Sequence, residues 1–124
     1  MTNDELKLRT KQFSLSILKS VDKLPNTLQS RIIINQLVKS ATSVGANYRA
    51  VCRARSYREF VSKMNIVLEE ADESQFWLEI ISEMKWMNQY ENDILTKESG
   101  ELVAIFVATL KTVNQRLNNE KNKK

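Results

Sequence analysis

Six carboxylates fall within one short stretch: Glu69, Glu70, Asp72, Glu73, Glu79 and Glu83. On a helix, Glu69 would share a face with Glu73, and Glu79 with Glu83, because residues four apart are neighbours there. Paired carboxylates can carry acid–base or metal chemistry. The simpler reading is a solvated acidic face that pairs with Arg and Lys of adjacent helices. Cys52 stands beside Arg49, Arg53 and Arg55, the kind of setting in which a thiol turns reactive. A lone cysteine in a helix more often serves packing. Arg49, Arg53, Arg55 and Arg58 form a third group, with no carboxylate among them until Glu59. Arginine presents a planar fork that matches phosphate, so this group points to a polyanion.

What is missing narrows the chemistry. The chain has no histidine. Histidine general bases, Ser–His triads and the Glu-x-x-His ligands of di-iron bundles are therefore excluded. With a single cysteine, an ordinary structural zinc site is excluded as well. No glycine-rich phosphate loop is present. The reading is of a protein with no catalytic residues, no metal and no cofactor.

Charge is unevenly distributed. Residues 25–58 carry six basic side chains and no acid, whereas residues 59–93 carry two basic and nine acidic ones. The flanking segments are mildly basic, and the whole chain is +4. Either the positive and negative segments neutralise each other across the surface, or the basic one faces a polyanion such as RNA or DNA.

The elements that must position these groups read as helices. The chain has 124 residues, the size of one domain, and only two glycines and one proline. That leaves little material for tight turns and argues against a many-stranded β protein. Leu6, Phe13, Ile17, Val21 and Leu24 recur at helical spacing over residues 4–23, and Pro25 ends that run. A second helix is expected over 26–53, with Asn26 as its N-cap and Leu28, Ile32, Ile34, Leu37, Val38, Ala41, Val44, Tyr48 and Val51 as its apolar positions. Ser56-x-x-Glu59 is a capping box that opens a third helix, expected over 57–90. Its stripe is Phe60, Met64, Val67, Ala71, Ser74, Leu78 and Ile81. A fourth helix is expected over 98–118, starting between Asp93 and Gly100, with Leu102, Phe106, Leu110, Val113 and Leu117 buried. Residues 119–124 form a polar tail. The expected fold is all-α: a single up-down-up-down four-helix bundle with long helices.

Ser43, Gly45, Ala46 and Asn47 belong to a small-residue run in the second helix. Glycine inside a helix costs about 1 kcal/mol, so close approach of another helix is expected there, against the third helix near Ala71 and Ser74. Asn47 would find Glu73 or Ser74, or else face solvent. Phe76, Trp77, Trp86 and Met87 widen the apolar arc of the third helix beyond one stripe. They either plug the end of the bundle or form an oligomer interface, and the latter is the reading preferred. No apolar run is long enough to span a membrane, and the N-terminus lacks a signal-peptide core, so a cytoplasmic location is expected.

The stretches KLRTKQFSLSILKSVDKLP and QLVKSATSVGANYRAVCRARSYREFVSKMNIVLEEADESQFWLEII resemble a bacterial four-helix bundle family first found in intervening sequences of large-subunit ribosomal RNA genes. The resemblance is carried chiefly by Ser40-Ala41-x-Ser43-Val44-x-Ala46-Asn47, by Arg55-Ser56-x-x-Glu59-Phe60 and by Glu69-Glu70-Ala71-Asp72-Glu73. It implies the bundle fold and a homo-oligomer, a ring-like homopentamer. A distant branch, the accessory proteins of diversity-generating retroelements, binds nucleic acid and a reverse transcriptase through basic residues. By that analogy this chain would bind RNA or DNA at the end of the second helix and the start of the third. The alternative is a protein-interaction scaffold whose arginines form subunit interfaces, with no nucleic-acid role.

Overall fold

The structure is a computed structural model that describes residues 1–123. Helix α1 spans Asn3–Ser20 and runs into a 3-10 turn at Val21–Lys23. Helix α2 spans Leu28–Val51, α3 Tyr57–Met84 and α4 Gln89–Asn122. Each of the four starts on a side chain that accepts from a backbone N–H three residues on: Thr2, Thr27, Ser56 and Asn88. These oxygens satisfy amides that the first turn leaves without a partner. The second cap is Thr27, one residue past the expected Asn26. Ser30 returns the bond to the Thr27 amide and also donates to the Pro25 carbonyl.

The helices pack α1 on α2, α2 on α3, α3 on α4, with α4 closing back on α1. Short connections between them force neighbours to run antiparallel, giving the up-down-up-down four-helix bundle. The core contains Phe13, Ile17, Leu37, Val44, Met64, Leu78, Leu102 and Phe106, all essentially excluded from water. Every expected core position of α3 from Met64 to Ile81 is buried. In α2 the stripe is narrower than expected, because Leu28 and Ile32 are more than half exposed. Tyr48 and Phe106 stack across the interior with centroids 6.1 Å apart.

Buried hydroxyls form a second layer of packing. Thr10, Ser14, Ser40, Ser74 and Ser99 are inaccessible or nearly so, and each bonds a carbonyl of the preceding helical turn. Two also reach across: Ser14 donates to the Ala41 carbonyl at 2.7 Å, and Ser74 to Ser40 Oγ at 2.9 Å. Buried polar groups are tolerated when partnered in this way, and short side chains let the helix axes draw together. Helix α1 is fastened to α4 by Arg9. Its Nε and Nη2 donate to the two Glu98 oxygens at 2.8 and 2.6 Å, a bidentate pair that holds the guanidinium pKa above its ordinary value.

The boundary between α3 and α4 departs from the expected one. Helix α3 ends at Met84 rather than Tyr90, and α4 begins at Gln89 and continues to Asn122, through most of the expected tail. Lys124, the last residue of that tail, lies outside the described residues. The stop is a Schellman motif: Trp86 N–H donates to the Ile81 carbonyl and Lys85 N–H to that of Ser82. Trp86 packs, partly buried, against the core to which Ile81 belongs. Lys85 occupies the left-handed region, φ 58°. A glycine there would have marked the turn in the sequence, and lysine gives no such signal. Lys85→Gly is expected to stabilise the protein by about 1 kcal/mol in urea unfolding, because it removes the Cβ strain of that conformation.

Burial, reinforced by the neighbouring Cys52, pushes the Tyr48 phenol up to about 12 from 10.0. The folded state thus holds this proton more tightly than the unfolded chain. The stabilisation is complete below pH 10 and is lost as the pH rises towards 12. Absorbance at 295 nm is expected to show a late phenolate component that Tyr48→Phe removes.

Candidate nucleic-acid interface

Helix α2 ends where its backbone tightens: Arg53 N–H donates to the Ala50 carbonyl and Ala54 N–H to that of Val51. Two residues later the Ser56 side chain caps α3, forming half of the expected capping box by accepting from the Glu59 amide at 3.1 Å. This connection turns the chain at one end of the bundle and holds Arg53 and Arg55 on it, with Arg49 one turn before and Arg58 in the first turn after. All four arginines are exposed. Among the described residues, ion pairs are made by Arg9 alone, so none of the four is neutralised within the subunit. The α3 N-terminus adds its own positive dipole beside Arg55 and Arg58. Ala54, Arg55, Ser56, Tyr57 and Phe60 line a shallow groove here of about 380 Å³. Cys52 is exposed at the cap of α2, so it does not serve the packing role expected of it.

The topology gathers further cations at this end. Ser14 meets Ala41, and Gly45 faces Thr10 and Lys11, so Lys7 stands level with Tyr48 and Arg49. Lys7, Lys11 and Arg49 line a groove of about 400 Å³ between α1 and α2, together with Leu15, Gly45 and Ala46. On the other side, Asn92 donates to the Leu78 carbonyl and Gly100 lies against Gln75. At that register the turns of α4 beyond Val113 pass the start of α3, which brings Arg116, Lys121 and Lys123 to the same end. These five cations were not singled out in the sequence. The available signal was topological: an antiparallel bundle sets the first turns of its first helix and the last turns of its fourth beside the connection from second to third.

The small residues do a different job from the one expected. Gly45 packs on α1, not α3: a Cβ there would lie 2.8 Å from Ser14 Oγ and 3.3 Å from the Thr10 carbonyl oxygen. The close contact with α3 is made earlier, at Ser40. Asn47 bonds neither Glu73 nor Ser74. Its Nδ2 donates to the Ser43 carbonyl at 2.9 Å and to Ser43 Oγ, within its own helix. Ala46 is exposed.

Of the residues assigned to an oligomer interface, Phe76 is half exposed and packs edge-on to Trp77, centroids 4.9 Å apart. Trp77 and Trp86 are partly buried against the core. Met87 is a core residue, 8% exposed, whose sulfur accepts from Asn92 Nδ2, so it offers no surface to a partner. The arrival of α4 at Gln89 covers it. Glu69, Glu70, Asp72 and Glu73 line an open groove with Phe76 and Trp77. Glu70 is held above its ordinary carboxylate pKa, first by partial burial and then by Glu73, with Lys39 opposing. Among the described residues, no cluster of three or more Asp, Glu or Cys side chains is arranged to hold a metal ion. Among the described residues, no helix is long and apolar enough to cross a membrane.

The sequence profile of the 23S rRNA-intervening sequence protein family matches residues 4–108. A crystal structure of a protein of unknown function from the S23 ribosomal protein family of Bacteroides thetaiotaomicron VPI-5482 superposes with a TM-score of 0.80 at 27% identity. The match covers 90% of this chain and 99% of that one. No curated protein matches.

Proposed function

This chain belongs to the 23S rRNA-intervening sequence protein family, and from that premise we propose that it is a non-enzymatic bundle that binds the phosphate backbone of RNA or DNA at its basic end. The observation that carries the proposal is the convergence of exposed cations with no intramolecular counter-ion among the described residues. Arg49, Arg53, Arg55 and Arg58 lie at one end of the bundle, where the register of α4 also brings Arg116, Lys121 and Lys123. A static cluster of like charges is tolerated where a polyanion supplies the neutralisation, with release of that polymer's counter-ions. Arginine forks suit phosphate oxygens. Tyr57, 43% exposed beside Arg55, is an aromatic placed to stack on a base. Recognition would follow the backbone more than the sequence.

The test is a fluorescence-polarisation titration with structured RNA, duplex RNA and duplex DNA at low and moderate salt. Binding that weakens steeply with salt supports the proposal, and absence of binding at low salt overturns it. The competing reading is a scaffold whose arginines form subunit interfaces. It predicts that reversing Arg53 and Arg55 changes the particle mass and leaves no nucleic-acid affinity to lose.

A further inference from the structure

We infer that the acidic cleft between the end of α3 and the start of α4 binds the primary ammonium groups of an aliphatic diamine or polyamine. The inference does not rest on nucleic-acid binding, which concerns the opposite end of the bundle.

A threonine inside a helix commonly donates its hydroxyl to a carbonyl of the preceding turn. Thr10, Thr42, Thr109 and Thr112 all do so here. Thr96 does not. Its Oγ1 is shut off from water and has no hydrogen-bond partner among the described residues. One turn earlier on the same helix, Asn92 is 1% exposed. Its Nδ2 donates to the Leu78 carbonyl at 3.3 Å and to Met87 Sδ at 3.7 Å, whereas its Oδ1 accepts from no group among the described residues. Both residues line a cleft of about 300 Å³ with Glu79, Ser82, Glu83 and Asp93. A buried oxygen left without a partner costs free energy. Two such oxygens in one cleft call for a ligand that brings donors.

The rim sets the charge of that ligand. Glu79, Glu83 and Asp93 are exposed, and among the described residues none of them is in an ion pair. Gln89 Nε2 donates to Ser82 Oγ at 3.3 Å and to Asp93 Oδ1 at 2.7 Å, but this amide is neutral and brings no counter-charge. Water would partner the inner oxygens and leave the carboxylates uncompensated. A calcium or magnesium ion needs several oxygens closing on one point at about 2.0–2.6 Å. Among the described residues no three acidic side chains are grouped to do so. A primary ammonium is less demanding, because its three N–H donors reach acceptors at roughly 2.9 Å. Three donors suit two inner oxygens and one rim carboxylate. Glu79 and Glu83 stand about one helical pitch apart, ~5.4 Å, so a second ammonium on a short methylene chain would meet the rest of the rim.

The experiment is isothermal titration calorimetry of the full chain at physiological salt. The titrants are 1,4-diaminobutane, its fully N-methylated bis-quaternary analogue, MgCl2 and CaCl2. The diamine is expected to bind saturably, with one equivalent per chain. The quaternary analogue keeps both charges but has no N–H, and is expected to bind roughly tenfold more weakly or worse. Thr96→Val keeps the shape of the side chain and removes its oxygen. It is expected to weaken diamine binding about tenfold, the worth of one hydrogen bond to a charged group. It is also expected to raise the urea midpoint of the free protein, because a buried hydroxyl without a partner has gone. Thr96→Ser restores the oxygen and is expected to bind within a few-fold of the wild type. Glu83→Gln/Asp93→Asn changes exposed residues only, and is expected to weaken binding about tenfold or more at unchanged helical circular dichroism. Absence of saturable diamine binding overturns the inference. So does equal affinity for the quaternary analogue, undiminished affinity in Thr96→Val or in the double variant, or a magnesium or calcium ion that occupies the cleft and excludes the diamine.

Discussion

Reversal of Arg53, Arg55 and Arg58 to glutamate is expected to lower affinity for duplex RNA by about a hundred-fold or more near physiological salt. Each cation seated on a phosphate releases condensed counter-ion and steepens the salt dependence of log K by about 0.9. Losing three contacts is expected to flatten that slope by about 3, and the new carboxylates add repulsion. The three side chains are exposed and, among the described residues, bond to nothing that holds the fold, so the thermal transition is expected to be unchanged. Arg→Lys at the same positions is the informative control. It keeps the charge and the salt slope but loses the bidentate fork, so affinity should fall only modestly. If the triple reversal binds as well as the wild type, the basic end is not the interface. If the lysine variant behaves like the glutamate variant, geometry and not charge sets the affinity.

The second large effect is on stability. Gly45→Val is expected to destabilise the protein by about 2–3 kcal/mol in urea unfolding. The site is a close approach of α1 to α2: an added Cβ would sit 2.8 Å from Ser14 Oγ, 3.3 Å from the Thr10 carbonyl oxygen and 3.4 Å from Lys11 Cα. Two of those atoms are backbone and yield only if the helices part. The third belongs to a hydroxyl held by bonds to Thr10 and Ala41. Overpacking of this kind typically costs about 1–3 kcal/mol, with branched side chains at the upper end. Gly45→Ala is milder, because a gain of about 1 kcal/mol in helix propensity opposes the clash. The pair Gly45→Ala and Ser14→Ala should be strongly non-additive, since removing the hydroxyl opens the space the new methyl needs. Strict additivity would mean that Ser14 is not what confines residue 45. The same crossing shapes the groove that holds Lys7, Lys11 and Arg49, so Gly45→Val also tests how tightly that groove depends on the α1–α2 spacing.

The sequence by itself determined what local chemistry determines. Three- and four-residue apolar spacing placed Phe13, Ile17, Met64, Val67, Leu78 and Phe106 inside, because a helix can bury only one face. Serine at position 56 announced α3, because its hydroxyl accepts the amide that the first turn leaves free. The absence of histidine removed whole classes of chemistry without any coordinates. The four arginines were legible as a cluster because they are near neighbours in the chain.

What the tertiary structure decided depends on long-range geometry. Helix α3 stops at Met84 through a Schellman bond and a left-handed lysine, and no glycine or proline gives that away. Met87 is interior because α4 starts soon enough to cover it. The partner of Gly45 is α1, since the small run presents different residues to different neighbours: Ser40 to α3 and Gly45 to α1. Lys7, Lys11 and Arg116 join the arginines only because antiparallel packing returns residues far apart in sequence to the same height. Periodicity fixes which side of a helix is buried, but it carries no information on which helix lies against that side or at what register. Those follow from how all four helices fill one core.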